Sequence, residues 1–260
     1  MLPSADDPRR LLLPDPAGTG QVDLGRNGTY LVLRQLEQDV DAFRRYLGQA
    51  TRRPDGTEDP GEQAALAAKM VGRWPSGAPL ISAPCRDDRA LGGSNDFGYH
   101  GDPLGLACPL GAHIRRANPR DSLDPQPGTS ASLDVNGLHR LIRRGRGYGP
   151  GEGDGAGQAT GIYFICLAAS LSRQFEFVQH TWLNNPTFNG LYDDTDPLTG
   201  GRDGGGGTFT APARPVRRRY RGLPQFVRTR GGAYFFLPGI SALRYLAQLP
   251  GPVPSGPRTG

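Results

Sequence analysis

The eight residues Gly161–Ala168, GIYFICLA, constrain the fold more than any other stretch of the chain. An apolar run this short, rich in β-branched and aromatic side chains, reads as a strand. Alternation puts Ile162, Phe164 and Cys166 on one face and Tyr163, Ile165 and Leu167 on the other. Both sets are apolar, so the expected strand is buried on both faces, inside a sheet. A second strand is expected over residues 29–36, followed by a helix carrying Val40, Phe43 and Leu47 at helical spacing, with Asp39 and Asp41 at its positive N-terminal end. Residues 62–71 are alanine-rich and helical until Gly72 and Pro75 stop them. Further along, residues 133–143 read as a strand, and residues 173–182 as an amphipathic helix with Phe175, Val178 and Trp182 on one side. Residues 233–237 read as a last strand and residues 240–249 as a closing helix. Strand-helix units joined by long loops imply an α+β fold, an antiparallel sheet with helices packed on one face.

The loops follow from 39 Gly and 25 Pro in 260 residues, which argue against a helical bundle. Residues 76–111 and 193–207 have little period, and the glycine-rich 145–157 lacks the Gly-Lys-Ser/Thr ending of a phosphate loop. Residues 1–22 read as an extended arm, 23–249 as one domain and 250–260 as a flexible tail. The formal charge of +5 would attract polyanions. However, the arginines are scattered among acids rather than set along one face, and no nucleic-acid motif is present, so no nucleic-acid partner is expected. Cys85, Cys108 and Cys166 are odd in number and lack metal-ligand spacing, which points to a reducing compartment. Arg9-Arg10 precedes too short an apolar run for an export signal, and no segment approaches the roughly 18 apolar residues of a membrane span. The reading is a soluble cytoplasmic chain with no membrane partner, with homo-oligomerisation left open.

One segment joins a metal-ligand residue to anion-binding side chains: Cys108-Pro109-Leu110-Gly111-Ala112-His113-Ile114-Arg115-Arg116-Ala117-Asn118-Pro119-Arg120. Neutral imidazole is a common metal ligand and the guanidinium fork suits carboxylates, so the segment suits a metal that brings its own anionic groups. Haem, an iron with two propionates, is such a group. Taken alone, the same letters equally describe a loop histidine beside arginines in surface ion pairs.

The order of several motifs favours the first reading. Asp23-Leu24-Gly25-Arg26-Asn27-Gly28, Asn95-Asp96-Phe97, Ala112-His113-Ile114-Arg115-Arg116, Asn118-Pro119-Arg120, Leu141-Ile142-Arg143-Arg144-Gly145, Arg173-Gln174-Phe175-Glu176-Phe177 and Thr181-Trp182-Leu183-Asn184-Asn185-Pro186 occur in sequence, followed by Arg230-Gly231-Gly232-Ala233-Tyr234. This set, from about Asp23 to Leu249, resembles the C-terminal half of the dye-decolourising (DyP-type) haem peroxidases. The resemblance implies a ferredoxin-like domain of the dimeric α+β barrel type binding haem b. It also implies hydrogen peroxide and small phenolic or dye-like reductants as partners.

The resemblance assigns His113 as the haem-iron ligand, Arg143 as the catalytic distal arginine and Arg120 as a propionate contact. Ile162 and Phe164 become apolar residues against the haem, although a buried strand would need them anyway. Cys108 is a competing axial ligand, outranked because only His113 lies in the matching motif. The family's acid partner for the histidine would fall near the start of the last strand, where Gln225 stands, so the partner is left unassigned. The family's GxxDG motif, with its proton-shuttling Asp, has no match before His113. Its letters occur at Gly200-Gly201-Arg202-Asp203-Gly204, inside a glycine run, and are read as coincidence. A haem-binding fragment with little peroxidase activity is the alternative implied.

Overall fold

The computed structural model describes residues 8–149, 159–202 and 204–249. A 3-10 turn at Pro8–Leu11 leads into a two-residue ladder between β1 (Leu13–Pro14) and β2 (Val22–Asp23). The N-terminal arm is therefore folded back on itself from Pro8 onward. There follow β3 (Thr29–Gln38), α1 (Val40–Ala50), α2 (Pro60–Val71), α3 (His113–Ala117), α4 (Ser130–Gly137), β4 (Ile142–Tyr148) and β5 (Gly161–Ala168). Two π-helical turns, Leu171–Glu176 and Val178–Leu183, lead to β6 (Gly207–Ala211), β7 (Arg218–Leu223), β8 (Val227–Leu237) and α5 (Ile240–Ala247).

The main sheet has the order β4-β5-β3-β8, every neighbour antiparallel. Its four strands thus lie in the order second, third, first, fourth, the split βαβ arrangement of a ferredoxin-like fold. Register across the sheet aligns Arg143, Cys166, Val32 and Tyr234 in one row, and Gly145, Phe164, Arg34 and Gly232 in the row two positions on. Directly paired residues share a face, so these rows mark one side of the sheet. There Val32 and Cys166 are fully buried against Phe175 of the first π-helical turn.

The opposite side carries the row Ile142, Leu167, Leu31, Phe235. Ile142 is 70% exposed, Phe235 46% and Tyr163 38%, so the expectation that β5 is buried on both faces is corrected: among the described residues helices cover one face only. The remaining core lies beside the sheet, where Tyr46, Leu47, Leu66 and Met70 of α1 and α2 pack on Phe209, Leu223 and Phe226.

Residues 133–143 are also corrected, since most of them lie in α4 and the turn after it. The Thr129 hydroxyl accepts the Ser132 amide as an N-cap, and that satisfied donor starts a helix where alternation alone suggested a strand. The segment after β5 is helical as expected, with Phe175, Val178 and Trp182 buried, but wound as π-helix.

Candidate functional site

His113 opens α3, which is seated against the end of α2. Gly72 ends α2 in the left-handed region at φ 96°, and a Cβ there would come 2.4 Å from Ile114 Cγ1, so only glycine lets the two helices approach. The His113 side chain is 28% exposed, and its Nδ1 lies 2.9 Å from Oδ2 of the fully buried Asp196. The other carboxylate oxygen, Oδ1, accepts the Leu198 amide at 3.0 Å, the Thr199 amide at 2.8 Å and the Thr199 hydroxyl at 3.0 Å.

Burial on its own would raise the Asp196 pKa. The charge and hydrogen bond of His113 and the Thr199 amide outweigh burial and hold the carboxyl down to about 2. For the imidazole, burial favours the neutral form, yet the Asp196 charge and hydrogen bond prevail and lift its pKa above the ordinary histidine value, against opposition from Arg143 and Arg116. An ionised carboxylate only accepts, so His113 donates from Nδ1, and in the neutral ring Nε2 carries the lone pair. That tautomer is the one a metal-ligating histidine needs.

Asp196 is the acid partner that the sequence left unassigned. Gln225 is not that partner: its side-chain amide donates 2.8 Å to the Val227 carbonyl at the start of β8. The loop bearing Asp196 is clamped by Arg202, whose guanidinium donates to the Thr195 hydroxyl and to the carbonyls of Gly200, Asp196 and Pro197 at 2.9–3.0 Å. Gly200 closes the same turn, because a Cβ there would stand 2.6 Å from the Asp196 carbonyl oxygen. Arg202 and Gly200 of the GxxDG letters thus hold the histidine's partner, while Asp203 lies outside the described residues.

The arginines of the segment divide. Arg115 is buried and pairs with Asp102 at 3.0 Å, with further bonds to the Asp102 and Cys108 carbonyls. Arg116 is buried and donates to three carbonyls, those of Trp182, Asn185 and Asp194. Neither is available to an anion from solvent, which corrects the reading of the segment as a cluster of anion-binding side chains. Arg120, at φ 56°, lays its guanidinium 3.8 Å from the Phe97 ring centroid and donates to the Asn95 and Phe97 carbonyls and the Asn95 side chain. The structure therefore ties Arg120 to the Asn95–Asp96–Phe97 motif.

Cys108 is fully buried, and burial pushes its thiol up to about 12, so it stays a protonated core residue and does not compete as a thiolate ligand.

Arg143 lies on the edge strand β4 and shares one sheet face with Ile162 and Phe164 of β5. The same face carries Phe175, whose ring lies under Arg34. The Arg143 side chain is exposed and has no hydrogen bond or ion pair among the described residues. Ile162 leans over β4 where Gly145 leaves room, since a Cβ at Gly145 would stand 2.3 Å from Ile162 Cδ1.

If His113 ligates haem, as the resemblance implies, Asp196→Asn should weaken that binding about 10- to 100-fold, the usual cost of losing a ligand's outer partner. To keep the Leu198 and Thr199 bonds, the Asn oxygen must face them. Its NH₂ then faces His113 and forces the proton onto Nε2. Haem titration followed at the Soret band checks this; unchanged affinity would rule out tautomer control by Asp196.

No family model matches the chain. Among curated proteins it is 36% identical over 236 residues to a dye-decolorizing peroxidase of Exidia glandulosa, covering 83% of this chain and 44% of that protein. It is 37% identical over 240 residues to the dye-decolorizing peroxidase AauDyP1 of Auricularia auricula-judae, covering 83% and 46%. Among solved structures, a DyP-type peroxidase of Anabaena sp. superposes with TM-score 0.71 at 29% identity, covering 84% of this chain and 46% of that one. DyP2 from Amycolatopsis sp. gives 0.69 at 31% identity, covering 90% and 52%. The chain spans about half the length of the curated relatives it matches.

Proposed function

Because the chain belongs to the dye-decolorizing peroxidase family, we propose that residues 23–249 form a haem b-binding unit that reduces hydrogen peroxide and oxidises small aromatic donors. The observation that carries this reading is His113, its Nδ1 held by Asp196 so that the neutral ring presents Nε2. The residues fit haem. His113 would ligate the iron, Ile162 and Phe164 would border the opposite side, and Arg120 would pair with a propionate through N–H groups its loop bonds leave over. Haem b supplies the redox chemistry, two electrons to peroxide recovered one at a time from donors.

The chain's own residues shape that chemistry. Asp196 keeps His113 electron-rich and fixes the direction of its Nε2 lone pair. Arg143 offers a fixed cation to the negative charge that develops on the departing oxygen as the O–O bond breaks. Ile162 and Phe164 exclude water and bulky donors from that side. No helix among the described residues is long and apolar enough to cross a membrane. The unpaired Cys85, Cys108 and Cys166 suit a reducing compartment, so the proposal places the chain in the cytoplasm.

A solved structure similar to this chain is described as a dye-decolorizing peroxidase complex with 2,6-dimethoxyphenol, and that phenol is the natural assay donor. The haem-loaded chain should oxidise it only when peroxide is added. Arg143→Leu should slow the reaction roughly 10²-fold, the scale of losing one charge-stabilising donor, with the Soret band retained. Peroxide-independent oxidation, or equal rates in the two proteins, would overturn the reading.

A further inference from the structure

Residues 214–230 carry seven arginines and no acid, while the whole chain has an excess of only five positive charges, so everything outside this segment is net negative by two. The even scatter of arginines expected from the sequence fails here. The segment runs from the turn after β6 through β7 into the start of β8. Register sets Arg219 opposite Thr210 and Arg221 opposite Thr208, on the side of the hairpin away from the buried Phe209 and Ala211. Two acids beside the segment are already engaged: Asp193 takes Arg219 at 3.3 Å, and the Asp194 carboxylate accepts from the Thr208 hydroxyl and the Thr210 amide. Arg214, Arg217 and Arg221 are exposed, and none of their side chains has an ion pair or hydrogen bond among the described residues.

Apolar side chains stand out of the surface at the same place. Leu104 and Tyr192 line one cavity mouth together with Arg214, Arg217 and Arg219. Tyr192 is 82% exposed, Leu104 58%, and Val216, between Arg214 and Arg217 in the chain, 74%. The three come from three separate loops, so no single turn accounts for the cluster. A polynucleotide would take the arginines with its phosphates and leave Val216 and Leu104 wet. An anionic bilayer suits both kinds of side chain: lipid phosphates accept from the guanidinium forks, while the aliphatic and tyrosine tips enter the boundary between headgroups and acyl chains.

We propose that this corner of the molecule is a docking surface for an anionic lipid bilayer, with Arg214, Arg217 and Arg221 on lipid phosphates and Leu104, Tyr192 and Val216 at the headgroup boundary. No membrane partner is expected from a chain without a spanning segment, but resting on one leaflet needs none. The surface shares no residue with the His113–Asp196 pair or Arg143 and does not need haem, so its failure would leave the peroxidase reading standing. Co-sedimentation of the purified full chain with vesicles of mixed phosphatidylcholine and phosphatidylglycerol tests it, with pure phosphatidylcholine vesicles as the comparison. Binding to the mixed vesicles is expected to be at least tenfold tighter and to weaken as salt is raised. Arg214→Gln/Arg217→Gln should weaken it about 25-fold, roughly fivefold for each guanidinium withdrawn from the lipid surface. Leu104→Ser/Val216→Ser should weaken it at least fivefold with every charge kept, and all four positions are exposed, so both variants keep the fold. Equal binding to pure phosphatidylcholine, no loss in either variant, or release by inorganic phosphate at a matched phosphate concentration would each overturn the proposal. So would binding to single-stranded DNA without binding to the mixed vesicles, which would reassign the arginines to a nucleic acid.

Discussion

His113→Ala is expected to abolish the Soret band of the haem-loaded protein, while Cys108→Ala leaves it in place. The two residues stand five apart, and both types are known axial ligands, so their surroundings decide between them. The His113 imidazole is partly open to solvent and donates its Nδ1–H to the Asp196 carboxylate, so the neutral ring is held with its lone pair on Nε2. The Cys108 thiol has no solvent access and a pKa near 12, and its backbone is fixed by bonds to Asp102 and Arg115. Removing the imidazole leaves no comparable donor beside Asp196. Because the space beside Asp196 persists in His113→Ala, added free imidazole should restore part of the band, which separates loss of the ligand from loss of the fold. A native spectrum in His113→Ala without imidazole would refute the assignment.

The histidine was legible in the sequence because its neighbours are near it in the chain, whereas Asp196 stands 83 residues away in a polar glycine-rich loop without period. The available signal was the run Asp193-Asp194-Thr195-Asp196-Pro197. Acids crowded before a proline and glycines are unlike a solvated linker, and two of them, Asp194 and Asp196, prove fully buried. Burial of a loop acid depends on which distant donors surround it, here Thr199, Thr208, Thr210, Arg202 and His113, and no local pattern encodes that set.

The strands were legible in the same partial way. Alternation located β3, β5 and β8, and equal apolarity on both sides of β5 implied cover on both sides. The row Ile142, Leu167, Leu31, Phe235 is apolar as read but open, because periodicity reports which side chains avoid water and not what this chain supplies to cover them. In α4 the capping hydroxyl of Thr129 outweighed strand-like alternation, a reminder that one satisfied backbone donor can decide a short segment.

Arg116→Leu is expected to destabilise the protein by about 4 kcal/mol, because it strips the donor from three buried backbone carbonyls. Arg116 is fully buried, and although burial lowers its pKa to about 10 it remains charged at neutral pH. Its Nε donates to Trp182 O at 2.9 Å, Nη1 to Asp194 O at 2.7 Å and Nη2 to Asn185 O at 2.5 Å, with the guanidinium 5.0 Å from the Phe188 ring centroid. Leucine fills much of the space but leaves three carbonyls short of a donor, each worth roughly 1–3 kcal/mol when buried unsatisfied. For a chain of this size the loss corresponds to a melting temperature lower by about 8–16 °C. Arg116→Lys should recover little, because one ammonium cannot point at three diverging carbonyls as a planar fork does. The same three carbonyls belong to the segment that ends at Asp196, so below its melting temperature Arg116→Leu should also bind haem more weakly than wild type, by loosening the partner of His113. Thermal unfolding and haem titration on the same samples check both steps. A melting temperature within 2 °C of wild type would show that the Trp182–Asp194 segment is held by its apolar contacts and not by the buried arginine.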